Sequence, residues 1–182
     1  MIKKCLQNDR RAQSQLYRHC YDPLMRICIR YKHNREDAVS LLNDGFLKIL
    51  LRLKEFDFER DFEPWTCTIM VRTAIDDFRR QRRYRESVEL KEDQNEMANM
   101  HLSEEHDSML DSLKNEALHN MLQQLEPEEK LVFNLHAFEG YKHKEIANQL
   151  GVTERSSKRY LHRARQKLKA LIEKELKLKK VI

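Results

Sequence analysis

The sequence has little of what ends helices: among 182 residues there are three glycines and three prolines. Sandwiches, barrels and propellers need such residues at frequent turns, so the composition favours an all-α fold. The glycines, Gly45, Gly140 and Gly151, are too far apart to form a glycine-rich phosphate loop. Walker-type and Rossmann-type nucleotide sites are therefore excluded.

The long apolar segments of membrane and secreted proteins are also missing. No run of 18 apolar residues occurs, so no transmembrane helix and no membrane insertion are predicted. The first five residues, from Met1 to Cys5, lack the apolar stretch of a signal peptide. We therefore expect a cytoplasmic protein.

Patterns for metal binding and covalent catalysis are absent as well. The four cysteines include no Cys-x-x-Cys pair, and neither His-Glu-x-x-His nor Gly-x-Ser-x-Gly occurs. Cys20 and Cys28 share a helical face with Leu24, which predicts small core residues rather than metal ligands. Asp76 and Asp77 are adjacent acids, and we expect them to pair with arginines rather than with a metal. No metal, cofactor or catalytic residue is predicted.

Charge divides the chain into three blocks. Residues 1–82 hold 17 Lys and Arg against 12 Asp and Glu, residues 83–115 hold 4 against 9, and residues 116–182 hold 14 against 9. An acidic stretch without a sustained apolar face is typical of a mobile linker. We predict two small helical domains with a flexible acidic linker between them, at residues 1–83, 84–112 and 113–182.

Apolar residues at helical spacing predict three helices in the first domain. Pro23 is expected to break or kink the first of them. The second is predicted at about residues 35–54, and a charged loop separates it from a third at about residues 65–83. The buried stripe predicted for the second helix comprises Leu42, Phe46, Ile49, Leu50 and Leu53.

The second domain contains the strongest local pattern, in residues 143–164. A short helix with an apolar face is followed by Gly151, where glycine takes a positive φ without strain. Ala147 lies four residues earlier and permits close helix packing, and Thr153 can cap the next helix. This spacing predicts a helix-turn-helix, whose second helix enters the DNA major groove. Two further helices are predicted before it, the later one opening at Pro127.

The second helix of this motif is strongly basic. Residues 153–170 hold seven Lys and Arg residues and one acid. We predict base-edge contacts from its N-terminal part and phosphate contacts from its C-terminal part. The candidates are Thr153, Arg155, Ser156, Lys158, Arg159, His162, Arg163, Arg165 and Lys167. A solvated basic face on an ordinary helical hairpin is the alternative.

Both halves resemble the sigma factors of bacterial RNA polymerase. Residues 125–133, 139–147, 150–158 and 163–165 look like region four of that family. Motif residues in the first half occur in the order of region two, namely Tyr21, Pro23, Leu24, Glu36, Asp37, Ala38, Phe46, Phe56, Asp57, Glu59, Arg60, Phe62, Trp65, Ile69, Asp76, Arg79 and Arg80. The presence of these two regions without region three resembles the extracytoplasmic-function class.

The resemblance implies a function without bond-making chemistry. Region two would bind the clamp helices of the polymerase core and capture the unpaired downstream promoter element, and region four would bind the upstream element as duplex DNA. The polymerase-binding face would comprise Ser40, Asn43, Asp44, Leu47, Lys48 and Leu51. The single strand would contact Phe58 and a track formed by Arg72, Arg79, Arg80, Arg82 and Arg83. The resemblance also allows for an anti-sigma factor as a partner.

Some positions depart from the family pattern. Ser40 and Asn43 replace a common Asp and Gln, Gly45 lies inside a helix, Arg72 replaces an Asn, and Ser157 replaces a Val. The loop before the third helix is also about one residue shorter than usual. Core packing is expected for Phe62 at the end of this loop and for Trp65 and Ile69 after it.

Two other functions stay open at this point. A stand-alone helix-turn-helix regulator would need a dimerisation surface, because one helix contacts too few base pairs for useful specificity. A helical enzyme or adaptor would have to use Asp76 and Asp77, beside which no His or Cys lies at ligand spacing.

Overall fold

The computed structural model describes residues 1–89 and 111–179, and every regular element in these ranges is helical. The predicted all-α class is confirmed. The chain divides into two compact units, a first unit within residues 1–102 and a second unit within residues 103–182. None of the described helices is long and apolar enough to span a membrane. Most of the predicted acidic linker, residues 90–110, lies outside the described residues.

Side-chain caps begin two helices of the first unit. Asp9 accepts a hydrogen bond from the backbone N–H of Arg11 at 2.8 Å, and Asn34 accepts one from the N–H of Asp37 at 2.7 Å. Each cap satisfies a donor that has no partner within its helix. The elements of this unit are α1 (Ile2–Leu6), α2 (Arg10–Tyr31), α3 (Arg35–Arg52), a 3₁₀ turn (Leu53–Glu55) and α4 (Phe62–Glu89).

The core of the first unit lies between α2, α3 and α4. The stripe predicted for α3 is confirmed by the positions that are at most 8% exposed, Leu42, Phe46, Ile49 and Leu53. Leu50 is half-buried. Cys20 and Cys28 of α2 are buried, as predicted. The helical periodicity of the sequence therefore identified the inner faces of two helices.

Of the two outcomes expected at Pro23, the break is excluded, because α2 continues through this residue. Proline removes one backbone hydrogen bond, to the carbonyl of His19, at a cost of about 3 kcal/mol. Leu16 and Leu24 on the same helix are fully buried, and burying one such side chain contributes about 1.5–3 kcal/mol. Packing of the neighbouring leucines thus outweighs the lost bond.

Gly45 lies where α3 packs against α4. A Cβ atom on this residue would lie 2.6 Å from Sδ of Met70 and closer still to its Cε. Met70 is fully buried, and the Cys28 thiol contacts its Sδ at 3.4 Å. Glycine inside a helix costs about 1 kcal/mol relative to alanine. The packing of Met70 over the bare backbone gives the physical reason for this departure from the family pattern.

The second unit contains α5 (Asp111–Gln123), α6 (Pro127–Ala137), α7 (His143–Leu150) and α8 (Glu154–Lys179). Pro127 occupies the first position of α6, as predicted, where its missing N–H costs nothing. A core cluster joins the end of α5 to α8 through Leu122, Leu125, Ala164 and Leu168.

Two helices are longer than predicted. The sequence placed the end of α8 near residue 174 and the end of α4 near residue 83, whereas they continue to Lys179 and Glu89. An ion pair of 2.8 Å between Arg82 and Glu86 spans one turn of the extra length of α4. Such i, i+4 pairs stabilise exposed helical turns, which apolar periodicity does not reveal.

Candidate functional site

The turn between α7 and α8 has the geometry of a helix-turn-helix. Gly151 ends α7 with a φ of 64°, and the N–H of Val152 donates to the carbonyl of Ala147 at 3.1 Å. Thr153 Oγ1 then accepts from the N–H of Ser156 at 3.1 Å. The predicted left-handed glycine and the predicted threonine cap are both confirmed.

One face of α8 is buried and the other is basic. Ser157, Leu161, Ala164 and Leu168 are at most 6% exposed and form the inner stripe. Successive residues of a helix are about 100° apart, so Arg155, Arg159 and His162 lie on the opposite side from Ser157. The predicted contact residues that are exposed are Thr153, Arg155, Lys158, Arg159, His162, Arg163 and Arg165, and Ser156 is half-buried. The structure therefore brings the predicted duplex-binding residues onto one surface.

Lys167 differs from the other basic residues of α8. Its Nζ lies 2.8 Å from Oε2 of Glu129, a side chain that is 3% exposed on α6. The hydrogen bond that Lys167 donates to Glu129 is the main reason why the pKa of Lys167 is raised. A phosphate contact was predicted for Lys167, whereas this lysine joins α8 to α6. Lys158, by contrast, pairs at 2.8 Å with Glu154 on the exposed face of α8 itself.

A histidine pair lies beneath the basic face. His143 Nδ1 is 3.0 Å from Oγ of Ser157, and the ring of His143 stacks on that of His136 at 4.8 Å with an angle of 13°. Burial chiefly lowers the pKa of His143, and His136, Lys158 and Arg165 lower it further, against an opposing effect of Glu154. This pair of histidines was not predicted from the sequence. Its one signal is the polar Ser157 in an otherwise apolar stripe.

The face of α3 that points away from the core holds the predicted polymerase-binding residues. Ser40, Asn43 and Asp44 are exposed, and Lys48 is half-buried. Leu47 and Leu51 are 57% and 67% exposed, although both are large and apolar. Two contacts fix the polar part of this face: Tyr17 OH donates to Asn43 Oδ1 at 2.9 Å, and Lys48 Nζ lies 3.2 Å from Asp76 Oδ2.

Four aromatic rings meet where the loop after α3 enters α4. The ring of Phe56 lies 5.4 Å from Phe58, 5.1 Å from Phe62 and 5.1 Å from Trp65. Phe56 is buried and Phe58 is 56% exposed. Ile69 is buried as predicted, but Phe62 and Trp65 are only half-buried. The cluster thus has a buried base and an exposed rim.

An open cavity of about 480 Å³ lies beside this cluster. Its lining comes from the first turns of α4 and the residue before it, namely Asp61, Phe62, Glu63, Pro64 and Cys67. Phe62 belongs to both the cavity and the aromatic cluster. This cavity was not predictable from the sequence, because its lining residues were expected to lie in a loop or in the core.

The predicted arginine track lies on α4 and is partly held by acids. Arg80 pairs with Asp77 at 2.7 Å and Arg79 with Asp76 at 3.7 Å, which confirms the predicted role of the two aspartates. Lys32 also pairs with Asp77, at 2.6 Å, a contact that was not predicted. The exposed members of the track are Arg72, Arg80 and Arg83, and the half-buried ones are Arg79 and Arg82.

Arg72 and Arg83 are two exposed arginines of this track. Among the side chains that the structure describes, no carboxylate forms an ion pair with either of them, and Arg83 Nε donates to the backbone carbonyl of Arg79 at 3.4 Å. They are 11 positions apart, which places them on the same side of α4. Within residues 1–89 and 111–179, no cluster of three or more His, Cys, Asp or Glu side chains could hold a metal ion.

Two family models match the chain. Residues 16–84 match Sigma-70 region 2, and residues 115–168 match Sigma-70, region 4. The chain is 30% identical to RNA polymerase sigma factor YlaC of Bacillus subtilis (strain 168) over 154 residues. This alignment covers 85% of this chain and 88% of that protein. It is 27% identical over 175 residues to ECF RNA polymerase sigma factor BldN of Streptomyces coelicolor, covering 94% of this chain and 64% of that protein.

A solved structure shares the fold. The sigma factor RpoE, co-crystallised with the anti-sigma factor NepR from Bartonella quintana, superposes with a TM-score of 0.54 at 19% identity, covering 88% of this chain and 96% of that one. The chain belongs to the sigma-70 family of RNA polymerase sigma factors, in the extracytoplasmic-function class. As such a factor, it binds the polymerase core and directs promoter recognition and the initiation of transcription.

Proposed function

We propose that the two units divide promoter recognition between them. The second unit binds the upstream element as duplex DNA through α8, and the first unit binds the polymerase core and the unpaired downstream strand. The observation that supports this most is the basic outer face of α8, which follows a capped, left-handed helix-turn-helix corner. No residue is assigned a bond-making step. The site of action is the cytoplasm, where the polymerase works.

The outer face of α8 supplies the chemistry that duplex recognition needs. Arg155, Arg159 and His162 extend from the side opposite the core, where they would meet base edges in a major groove. Arg163 and Arg165 lie on the two flanks of this face, about 120° and 80° from the inner stripe, where they would meet phosphates. The removal of one base contact is expected to cost about 1–3 kcal/mol.

The aromatic cluster and the arginines of α4 suit a single strand. Unpaired bases stack on aromatic rings, at about 1–3 kcal/mol per base, and their phosphates need a cationic track. Phe58 offers an exposed ring that packs on Phe56, and Phe56 in turn contacts Phe62 at the cavity. Arg72 and Arg83 offer exposed cations on one side of α4. We assign the downstream element to this surface.

The outer face of α3 suits a protein partner. Leu47 and Leu51 would bury apolar surface that water now covers, and large exposed apolar residues rimmed by polar ones mark interaction sites. Ser40, Asn43 and Asp44 form the rim. We assign the polymerase core, through its clamp helices, to this face. An anti-sigma factor is included in the proposal as a competing partner, because the similar RpoE chain was crystallised with one.

The test is reconstitution with the polymerase core of the same host and transcription from a promoter library. Leu47→Asp together with Leu51→Asp is expected to abolish binding to the core, because two charges would have to be desolvated in the interface. Leu176→Asp, an equally exposed leucine on α8, serves as the matched control and should bind normally. A wild-type protein that supports no initiation, or a tight duplex-binding dimer that needs no polymerase, would refute the proposal.

A further inference from the structure

Ser157 is a polar residue at the centre of the buried face of α8. It is 0% exposed and lies between the helix-turn-helix corner and the apolar Leu161 and Ala164. Its Oγ lies 3.0 Å from Nδ1 of His143, which is the first residue of α7, so this hydrogen bond joins α8 to α7. A buried hydroxyl is costly without a hydrogen bond. Rotations of α8 that would move the Ser157 hydroxyl away from His143 are therefore disfavoured.

His143 is itself held in place from the other side. Its ring stacks on His136 of α6, and His136 Nδ1 lies 2.9 Å from the carbonyl oxygen of Tyr141. Since a carbonyl only accepts, His136 donates from Nδ1. A continuous set of contacts thus runs from the loop after α6, through both imidazole rings, to the hydroxyl of Ser157. These contacts fix the position of α8 relative to α6 and α7.

The places of the exposed arginines depend directly on the rotation of α8. Arg155 and Arg159 are two residues before and two after Ser157, so each points about 160° away from it. A helix with side chains is about 5–6 Å in radius, and a rotation of 10° would move the arginine ends by about 1 Å. Hydrogen bonds to base edges tolerate only a few tenths of an ångström.

We propose that Ser157 and His143 are positioning residues for sequence recognition at the upstream promoter element. They set the rotation of α8 and thereby the register of its arginines against the base edges. The inference rests on the proposed function of α8 as the duplex-binding helix. It concerns specificity more than general affinity, since flexible phosphate contacts survive small displacements that base contacts do not.

The experiment uses the holoenzyme reconstituted with the polymerase core of the same host. Its preferred upstream element is selected from a randomised duplex, and binding to that element is compared with binding to a scrambled one. Ser157→Ala and His143→Leu each remove the hydrogen bond and are expected to lower the ratio of the two affinities about threefold to tenfold. Binding to the scrambled duplex should stay as in the wild type.

His143→Asn is the conservative variant, because an asparagine amide atom occupies the place of Nδ1. It should retain most of the wild-type ratio, although the stacked ring is gone. Leu122→Val is the matched structural control, since Leu122 belongs to the core cluster of the same unit and not to the histidine contacts. It should lower the melting temperature and leave the ratio unchanged.

Two results would overturn this inference and leave the proposed function of α8 standing. One is a wild-type ratio in both Ser157→Ala and His143→Leu, and the other is a His143→Asn variant as impaired as His143→Leu. A wild-type holoenzyme without any preference for an upstream sequence would instead refute the proposed function of α8. The failures of the two proposals are therefore distinguishable.

Discussion

Gly45 shows how one missing side chain determines the contact of two helices. We predict that Gly45→Ala lowers the stability of the first unit, although alanine is the better helix former by about 1 kcal/mol. The new Cβ would overlap Met70, whose Sδ would lie 2.6 Å away, and overpacking of a core costs about 1–3 kcal/mol. Urea unfolding followed by the fluorescence of Trp65, the single tryptophan, measures this unit.

Ser40→Ala is the control for this prediction. Ser40 is exposed on the same helix, so its replacement gives the gain in helix propensity without an overlap. Equal stabilisation by both variants would show that Met70 moves aside without cost and would contradict the packing explanation of Gly45.

The titration of His143 is expected to make the stability of the second unit depend on pH. Its pKa is lowered in the folded state, chiefly by burial and then by His136, whereas in the unfolded chain it is about 6.5. Between these values the unfolded state binds more protons, so stability rises with pH. The second unit should be most stable above about pH 6.5 and lose stability as the pH falls through the lowered pKa.

Thermal unfolding of the wild type and His143→Asn, followed by circular dichroism between pH 5 and pH 8, checks this sign. The variant cannot titrate at this position, so its melting temperature should fall less on acidification. Contributions from the other ionisable groups are shared by the two proteins. A steeper fall in the variant would mean that protonated His143 is stabilised by the fold.

At the scale of whole elements, the contact between Glu129 and Lys167 holds α8 on α6. We predict that Lys167→Met destabilises the second unit, because it leaves the buried carboxylate of Glu129 without its cation. Adding Glu129→Gln should restore much of the lost stability, since no buried charge then remains. The melting temperatures of the single and double variants measure this coupling.

Lys169→Ala is the control for Lys167→Met. Its pair with Glu173 spans 3.9 Å on the exposed surface of α8, and such pairs contribute little. We expect almost no change in melting temperature. A Lys167→Met variant as stable as Lys169→Ala would instead support the phosphate-contacting role predicted from the sequence for Lys167.

The elements themselves were largely predictable, because apolar periodicity reports which helix face is buried. The stripe of α3, the proline start of α6 and the corner at Gly151 all follow from residues close together in the chain. The interior position of Pro23 was not predictable in the same way, because the packing that compensates for it involves other helices. Helix ends on exposed surfaces, such as that of α4, depend on side-chain pairs that carry no apolar pattern.

The candidate functional site was also predictable only in part: its surfaces were predictable, and its contacts between helices were not. The outer faces of α3 and α8 are the complements of their buried faces, so the sequence identified them correctly as surfaces. The contacts of His143 with Ser157, and of Lys167 with Glu129, join residues 14 and 38 positions apart on different helices. Single-sequence periodicity contains no information on such pairs, and Lys167 was therefore grouped with the free basic residues.

For the molecule as a whole, the important property is that each unit has its own core. The apolar residues of α2, α3 and α4 are buried within the first unit, and the cluster at Leu122 and Leu168 is buried within the second. A surface substitution in one unit is therefore expected to leave the core of the other unit unchanged. We therefore expect the two proposed promoter contacts to contribute independently to binding.

This independence is tested by a double-mutant cycle between Phe58 and Arg159 in the holoenzyme. Phe58→Ala should weaken promoter binding by about 1–3 kcal/mol through lost stacking, and Arg159→Ala by a similar amount through a lost base contact. Because the residues belong to different units, we expect the double variant to show the sum within about 0.5 kcal/mol. A larger coupling, measured below saturation on the selected promoter, would mean that recognition of one element changes the contacts made at the other.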